Sequence, residues 1–188
     1  MKKWTTSQLI TIGAIAILQF LSRLFLYSPL LLATGNVFTA IISIMLGPFF
    51  AVLIALLIKK RGSVLIYMML YYFIDLPLPK IYPHVANFIL YIAIAISTEL
   101  FFSIIKNKKT FSILSSGVYN VWVGIIGLVL YFYFGFQGLF KIPDEVYTPI
   151  GIILLTILLF FVGSISGFFA YVVYEKIKKT SVVKRIQR

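Results

Sequence analysis

Long apolar runs, separated by short polar or basic segments, make up most of the chain. Most of these runs are close to the roughly 20 residues that a helix needs to cross the hydrocarbon core of a bilayer. They predict six transmembrane helices, over residues 8–27, 36–58, 63–76, 84–105, 111–136 and 148–174. The second run contains Gly47-Pro48, which predicts a kink, and the third ends before Pro77. The pattern therefore predicts an all-α fold, a single domain over residues 1–188 built as a bundle of six transmembrane helices.

The composition agrees with this pattern and excludes a soluble protein. Hydrophobic residues make up 61% of the chain and charged residues only 12%, and the mean hydropathy is +1.04. A chain of 188 residues cannot bury so much apolar surface, because a small globule has a large surface for its volume. The same excess of apolar residues excludes intrinsic disorder. We therefore expect an integral membrane protein.

The basic residues indicate how the helices are oriented. Of the 17 lysines and arginines, 14 fall on one side of the six-helix layout. The other side has Lys80 and Lys141, and Arg23 lies within the first helix. Because basic loops tend to stay in the cytoplasm, we predict a multi-pass protein of the cell membrane with both termini in the cytoplasm. The same clusters account for the net charge of +12 without a nucleic-acid partner.

Several kinds of chemistry lack the residues that they require. The chain has no cysteine and a single histidine, His84, so we expect no metal site. Its sequence has no glycine-rich nucleotide loop followed by lysine, and no nucleophile elbow. We therefore expect no enzyme activity, no catalytic residue and no cofactor. If the chain moves a solute uphill, the energy must come from a separate protein.

Three charged residues within the predicted helices are candidates for function, because charges are costly inside a bilayer. Glu99 lies seven positions before the basic loop at Lys106, which places it about 10 Å from the cytoplasmic end. It either contacts a ligand, pairs with Arg23 or is structural. Arg23 either extends its side chain to the outer surface or pairs with Asp75 or Glu99. Asp75, at the outer end of the third helix, either forms a turn or contacts a substrate.

Polar and aromatic side chains in and near the helices are candidates for a ligand site. Asn87 and Asn120 must find hydrogen-bond partners within the membrane, either on another helix or on a ligand. Tyrosines at the outer boundary, such as Tyr71 and Tyr72, form either an interfacial belt or an aromatic-lined pocket. We expect residues of several helices to converge on a substrate site, namely Glu99, Asn120, Trp122, Tyr119, Asn87, Tyr71, Tyr72, Asp75 and His84.

Small residues in the sixth predicted helix favour close helix packing. Gly163 and Gly167 form a Gly-x-x-x-Gly sequence, followed by Ala170. This arrangement allows the backbone of another helix to approach closely. The face either packs inside the chain or meets a partner subunit.

Three stretches of the sequence resemble a known family of membrane proteins. They are MKKWTTSQLI at 1–10, LLIKKRGSVL at 56–65, and TELFF at 98–102 with the basic loop and the LSSG sequence that follow it. Together with the length and the six-helix layout, they are similar to the S components of energy-coupling-factor vitamin transporters. Within that family, the chain resembles the branch associated with hydroxymethylpyrimidine and thiamine precursors.

The resemblance implies a function and a set of partners. It implies high-affinity binding of a small water-soluble vitamin near the outer face. It also implies docking on a transmembrane coupling subunit that is bound to two ATPase subunits, followed by toppling of the chain to release the ligand inside. The family docks through small residues of its first helix, which here are Gly13, Ala14 and Ala16. Gly163 and Gly167 are a second candidate for partner docking.

The function predicted from the sequence is therefore a membrane binding subunit for the uptake of a vitamin or precursor, with a thiamine-like or hydroxymethylpyrimidine-like ligand as the first choice. Glu99 would pair with a cationic or amino-bearing ring, the aromatic residues would stack on it, and Asn87 and Asn120 would orient it. The alternative is a non-transporting scaffold protein of a cell-envelope complex, whose polar residues are structural. A membrane enzyme is disfavoured, because no set of paired acids, histidines or cysteines is present in the sequence.

Overall fold

The computed structural model describes residues 4–27, 36–77, 83–135 and 148–187, and the side chains of residues 26–27 and 36–43 are outside this description. Every regular element in these ranges is a helix, which confirms the all-α prediction for this part of the chain. The predicted end of the fifth helix at residue 136 lies outside the described residues, as do Lys80 and Lys141.

The helices follow the predicted order, with one addition near the C-terminus. They are α1 (Thr6–Ser22), which continues into a π-helical turn (Arg23–Tyr27), α2 (Asn36–Ile58), α3 (Ser63–Asp75), α4 (His84–Ile104), α5 (Lys108–Phe134), α6 (Pro149–Ile177) and α7 (Ser181–Ile186). The short helix α7 begins after Thr180, whose hydroxyl accepts a hydrogen bond from the backbone N–H of Val183 at 3.4 Å. Val183 and Ile186 bury one side of α7 against the core.

Within the part of the chain that the structure describes, four helices are long and apolar enough to cross a membrane. These segments are Thr6–Phe25, His84–Ile104, Lys108–Phe134 and Pro149–Ile177. In the two remaining predicted spans, the helical stretches whose side chains are described, Ile44–Ile58 and Ser63–Asp75, are shorter apolar helices. The chain thus has the architecture of a membrane protein, while the count of six spans and the cytoplasmic termini stay predictions.

The helix α2 lies at the centre of the bundle. Its residues from Ala51 to Ile58 are all buried, with no more than 7% of any of them exposed. A helix that is apolar on every side must be surrounded by others, and α1, α3, α5 and α6 all pack against α2. The core of the protein is therefore built around this helix.

The helix α2 continues through Pro48, which has no backbone N–H to donate. Two serines of neighbouring helices donate to carbonyl groups in this region. The hydroxyl of Ser166 donates to the carbonyl of Met45 at 2.5 Å, and that of Ser116 donates to the carbonyl of Pro48 at 3.5 Å. The carbonyl that Pro48 leaves without a helical donor belongs to residue 44, so these two contacts instead provide partners for the serine hydroxyls, which water cannot reach inside a bilayer.

The helices α5 and α6 pack most extensively, and glycines allow it. A Cβ atom at Gly163 would overlap the backbone oxygen of Ser116, and one at Gly167 would overlap that of Ser112. The Gly-x-x-x-Gly face of α6 is therefore occupied by α5 of the same chain. As the structure places them, these two glycines are not available to a partner subunit.

One end of the bundle gathers the basic loops and the described residues nearest the two termini, and we call it the basic end. The ammonium group of Lys59 donates to Gln187 Oε1 at 2.7 Å, and Gln8 Nε2 donates to the carbonyl of Ile186 at 3.0 Å. Across the same end, Lys108 Nζ donates to the hydroxyl of Tyr174 at 3.3 Å. The predicted cytoplasmic segments thus lie together at this end.

Candidate functional site: a polar cavity within the bundle

A cavity of about 100 Å³ lies in the half of the bundle away from the basic end. Five elements line it, namely α1 with its π-helical turn, α2, α3, α4 and α5. Its polar and aromatic members are Gln19, Arg23, Tyr71, Asp75, Asn87, Tyr91, Tyr119 and Asn120. Apolar side chains such as Leu90 and Val123 complete the wall. Residues distant in sequence thus converge on one polar space inside an apolar bundle.

An ion pair forms one side of the cavity. Arg23 Nη1 donates to both carboxylate oxygens of Asp75, at 2.7 Å each. The side chain of Asp75 is 1% exposed and that of Arg23 is 16% exposed. Because an unpaired charge is very costly in such surroundings, each ion stabilises the charge of the other. Arg23 and Asp75 are the charged residues among those described in the cavity wall.

Arg23 occupies a special place in the backbone. It begins the π-helical turn of Arg23–Tyr27, directly after the regular helix α1 ends. Turns of this kind are rare and are found frequently at functional sites. Asp75 is the last residue of α3, so the ion pair joins the ends of two helices on the cavity side of the bundle.

The amide of Asn120 lies in the cavity wall without a hydrogen-bond partner. Asn120 is 0% exposed, and among the described residues neither its Oδ1 nor its Nδ2 has a partner. Gln19 Oε1, in the same wall, also lacks a partner among those residues. Buried polar groups in folded proteins are nearly always hydrogen-bonded, so each of these atoms requires an explanation.

Three tyrosines supply aromatic surface to the cavity. Tyr71, Tyr91 and Tyr119 are buried and line the space. The rings of Tyr71 and Tyr91 lie 5.9 Å apart, centre to centre. The hydroxyl of Tyr119 lies against Gly47, where an added Cβ atom would be 2.5 Å from it. The glycine that precedes Pro48 thus makes room for this phenol beside α2.

The structure brings together five of the nine substrate-site residues that the sequence predicted. Tyr71, Asp75, Asn87, Tyr119 and Asn120 all line the cavity, although they come from three helices. The sequence left three possibilities for the side chain of Arg23, namely the outer surface, Asp75 or Glu99. In the structure Arg23 pairs with Asp75.

The other four predicted residues lie elsewhere. His84 is exposed at the start of α4, and Tyr72 donates to its backbone carbonyl at 3.4 Å. The ring of Tyr72 packs edge-on against that of Phe88 at 5.4 Å. Trp122 is half-buried against the hydrophobic core. None of these side chains belongs to the described wall of the cavity.

Glu99 interacts with the beginning of α3 instead of the cavity. Its Oε2 accepts from the backbone N–H of Gly62 at 2.5 Å. Its Oε1 accepts from the N–H groups of Val64 at 3.0 Å and Leu65 at 3.3 Å. The first N–H groups of a helix have no partner within the helix, and a carboxylate satisfies both their hydrogen bonds and their partial positive charge. Glu99 therefore caps α3 from the neighbouring helix α4.

Among the polar and aromatic residues described in the cavity wall, sequence reasoning missed two, Gln19 and Tyr91. Each lies one helical turn from a residue that was already a candidate, since Gln19 precedes Arg23 by four positions and Tyr91 follows Asn87 by four. Residues at this spacing share a face of a helix. Extending each candidate by one turn along its own helix would have found both.

The predicted docking residues of α1 fall on different sides of the helix. Ala16 is fully buried in the core, and Gly13 faces Leu70 of α3, with Cδ2 of that leucine 3.9 Å from an added Cβ atom. Ala14 is exposed. The three residues therefore do not form one surface on which a partner could dock.

The part of the chain that the structure describes contains no group of three histidine, cysteine, aspartate or glutamate residues that could hold a metal ion. The cavity offers hydrogen bonds, aromatic surface and a balanced ion pair, which are means of binding an organic molecule. The chain matches no protein-family model, no curated protein and no solved structure.

Proposed function

We propose that this chain is a membrane-embedded binding subunit for the uptake of a small water-soluble vitamin or vitamin precursor. The observation that supports this most directly is the cavity, in which polar and aromatic side chains of several helices surround a space of about 100 Å³. The layout of the sequence and its resemblance to the S components of vitamin transporters point to the same function.

The energetic cost of the cavity supports a role in binding. A buried polar group without a hydrogen bond costs about 1–3 kcal/mol. Asn120 and Gln19 place such atoms in the wall, in a bundle that could be filled with apolar side chains instead. In this proposal, a ligand offsets part of that cost once the side chains that cover these buried atoms move aside.

The volume of the cavity limits the size of the ligand. An apolar cavity of roughly 150 Å³ accommodates a benzene molecule. A cavity of about 100 Å³ is smaller than this, so in this proposal even a single six-membered ring enlarges the space as it binds. Of the two ligands that the resemblance suggests, hydroxymethylpyrimidine is a single ring, whereas thiamine adds a second ring with a permanent positive charge. The cavity favours the single pyrimidine ring.

Transport requires further proteins in this proposal. The sequence has no nucleotide-binding loop, so separate ATPase subunits supply the energy through a transmembrane coupling subunit. Of the small residues proposed for docking, Ala14 is on an exposed face of α1, together with Ile10 and Ile17. This face of α1 is the part of the proposed docking surface that remains open to a partner.

Native mass spectrometry of the protein, purified in mild detergent, tests the proposal. We expect a small organic molecule to remain bound, and a panel of vitamins and precursors to raise the thermal unfolding temperature selectively, with hydroxymethylpyrimidine first. A protein that is empty and shows no shift with any member of the panel would contradict the proposal and favour the scaffold alternative.

A pair of variants on α5 links the bound molecule to the cavity. Val123→Phe places a ring in the space, because Val123 lines it. Val121→Phe, two residues away and not in the described wall, makes the same change in composition. We expect Val123→Phe to abolish binding and Val121→Phe to retain it. If both variants still bind the molecule, the ligand lies outside this cavity.

A further inference from the structure

We infer that an anionic phospholipid binds along the surface of α6, with its phosphate at Lys109, where α5 and α6 reach the basic end. This site is separate from the cavity and goes beyond the proposed function. Three features support it: a long apolar row on the exposed face of α6, a lysine at one end of that row, and the absence of an acidic partner for this lysine among the described residues.

A row of large apolar side chains runs along one face of α6, and we call it the α6 stripe. Its members are 40–61% exposed, namely Leu154, Leu158, Phe161, Ile165 and Phe168. They follow one another at intervals of three and four positions, which is the spacing of side chains on one face of a helix. The row spans fourteen positions and is therefore about 21 Å long, more than the roughly 15 Å of one hydrocarbon leaflet. In a membrane, we expect acyl chains to cover the α6 stripe.

A lysine of α5 lies over the end of the α6 stripe that is nearest the basic end. Lys109 is exposed in the first turn of α5, and its Nζ lies 5.6 Å from the ring centre of Phe168. The adjacent Lys108 instead contacts the buried Tyr174, to whose hydroxyl its Nζ donates at 3.3 Å. Lys109 thus places its ammonium group beside the lipid-facing surface.

Lys109 has no acidic partner among the described residues. The described acids of the basic end are Glu99 and Glu175. Glu99 accepts from backbone N–H groups at the start of α3, and Glu175 pairs with Lys178. A charge beside apolar surface in a membrane is costly without a counter-ion. We therefore expect the counter-ion of Lys109 to come from another molecule.

A charge at the end of an apolar stripe matches the plan of a phospholipid. A phosphate at Lys109 and an acyl chain along the α6 stripe have the same order as the headgroup and tail of one lipid molecule. Lys106 and Lys108, which are also exposed, add positive charge nearby. A headgroup with a net negative charge gains from these lysines, whereas the cation of a choline headgroup is repelled by them. Basic sites between transmembrane helices commonly bind anionic headgroups.

Lipid titration followed by native mass spectrometry tests the inference. The delipidated protein receives phosphatidylglycerol, which is anionic, or phosphatidylcholine with the same acyl chains. Glycerol 3-phosphate supplies a soluble phosphate without a tail. We expect phosphatidylglycerol to bind about fivefold more tightly than phosphatidylcholine, which is the effect of one basic residue at an anionic membrane surface. Glycerol 3-phosphate should not bind at the same concentrations.

Lys109→Gln and Lys184→Gln form a matched pair of variants. Each removes one exposed positive charge from the basic end, but Lys184 lies on α7, which packs against α1 and α2. We expect Lys109→Gln to bind phosphatidylglycerol about fivefold more weakly and phosphatidylcholine as before. The affinity of Lys184→Gln should change by less than about twofold, because long-range attraction by the net charge is the same in both variants. Lys109→Arg retains the charge and should keep full affinity.

The outcomes separate a lipid site from general attraction to the basic end. Equal losses in Lys109→Gln and Lys184→Gln would overturn the inference, and so would equal affinities of the unaltered protein for the two lipids. Glycerol 3-phosphate that binds as tightly as phosphatidylglycerol would show that the α6 stripe has no part in binding, which also overturns it.

A second variant keeps the inference testable if Lys109→Gln does not fold. Phe168→Leu removes the ring beneath the ammonium group, while the α6 stripe stays apolar and every charge stays in place. We expect it to bind phosphatidylglycerol more weakly, and full affinity would contradict the site. None of these results bears on the vitamin, whose binding the cavity variants of α5 test separately.

Discussion

At the scale of single residues, Glu99 shows that a costly charge can be structural. The sequence marks it as a ligand candidate because it is the carboxylate deepest in the predicted membrane region. In the structure both of its oxygens accept backbone N–H groups at the start of α3, the shortest 2.5 Å from Gly62 N. The carboxylate thus joins α4 to the loop that precedes α3.

The variant Glu99→Gln tests this role. The amide retains one acceptor oxygen and no charge, so we expect it to lower the free energy of unfolding by about 1–2 kcal/mol, because hydrogen bonds to charged groups and helix N-termini are weakened. Ligand affinity should change by no more than about twofold, as expected for a site without shared contacts. Chemical unfolding in detergent and ligand titration measure the two quantities.

Glu175→Gln is the matched control for this prediction. Glu175 pairs with Lys178 one turn away, and about a third of each side chain is exposed. Exposed pairs of this kind contribute little, so the variant should change the free energy of unfolding by less than about 1 kcal/mol. A severe loss of ligand binding in Glu99→Gln, with stability retained, would restore Glu99 as a ligand residue.

The sequence could identify which residue types are unusual in a membrane, but their partners depend on the fold. Asn120 and Asp75 were candidates because polar groups are rare in apolar helices, and both line the cavity. Glu99 met the same criterion, yet its partners are backbone N–H groups about 35 positions away in the chain, as for Val64. A pattern of residue types contains no information about where such a loop backbone lies.

At the scale of helices, the contact between α5 and α6 depends on the absence of side chains. The variant Gly167→Ala would place a Cβ atom onto the backbone oxygen of Ser112, which cannot move without shifting α5. We expect the free energy of unfolding to fall by about 2 kcal/mol, in the range for overpacked cores. Unfolding in detergent, monitored by circular dichroism, measures this change.

Gly13→Ala provides the comparison in α1. The nearest atom to an added Cβ there is 3.9 Å away, which is ordinary van der Waals contact. Alanine is also favoured over glycine in a helix by up to about 1 kcal/mol, so this variant should be as stable as the unaltered protein or more stable. Equal tolerance of both substitutions would mean that α5 and α6 are not packed as closely as the structure shows.

Helix boundaries were easier to predict than helix contacts. The starts of α2, α3 and α4 coincide with the predicted positions, and those of α3 and α4 directly follow Gly62 and Pro83. The short helix α7 was not predicted, since a basic tail with few apolar residues also suits an exposed segment. It folds because Val183 and Ile186, three residues apart, bury one face against the core.

At the scale of the whole molecule, the distribution of charge and the position of the cavity agree with each other. The predicted cytoplasmic segments form the basic end, where Lys59 contacts Gln187. The cavity lies in the other half, next to the end of α3 at Asp75. If the basic end faces the cytoplasm, the cavity is nearer the outer surface, which is where an uptake protein must first meet its ligand.

The absence of cysteine from the sequence makes this orientation directly measurable, because a single introduced cysteine gives the only thiol. The first pair of cysteine variants is at exposed positions of the basic end, Lys106→Cys and Lys179→Cys. The second pair is at exposed positions at the starts of α4 and α6, His84→Cys and Thr148→Cys. We expect a membrane-impermeant maleimide to label the second pair in intact cells and the first pair only after lysis, as the bias of basic residues requires. Six spans need His84 and Thr148 on the same side, because two helices, α4 and α5, separate them. If only one of these two cysteines is labelled in intact cells, the chain crosses the membrane an odd number of times between them. If Lys106→Cys is labelled from outside, the predicted orientation is wrong and the cavity faces the cytoplasm.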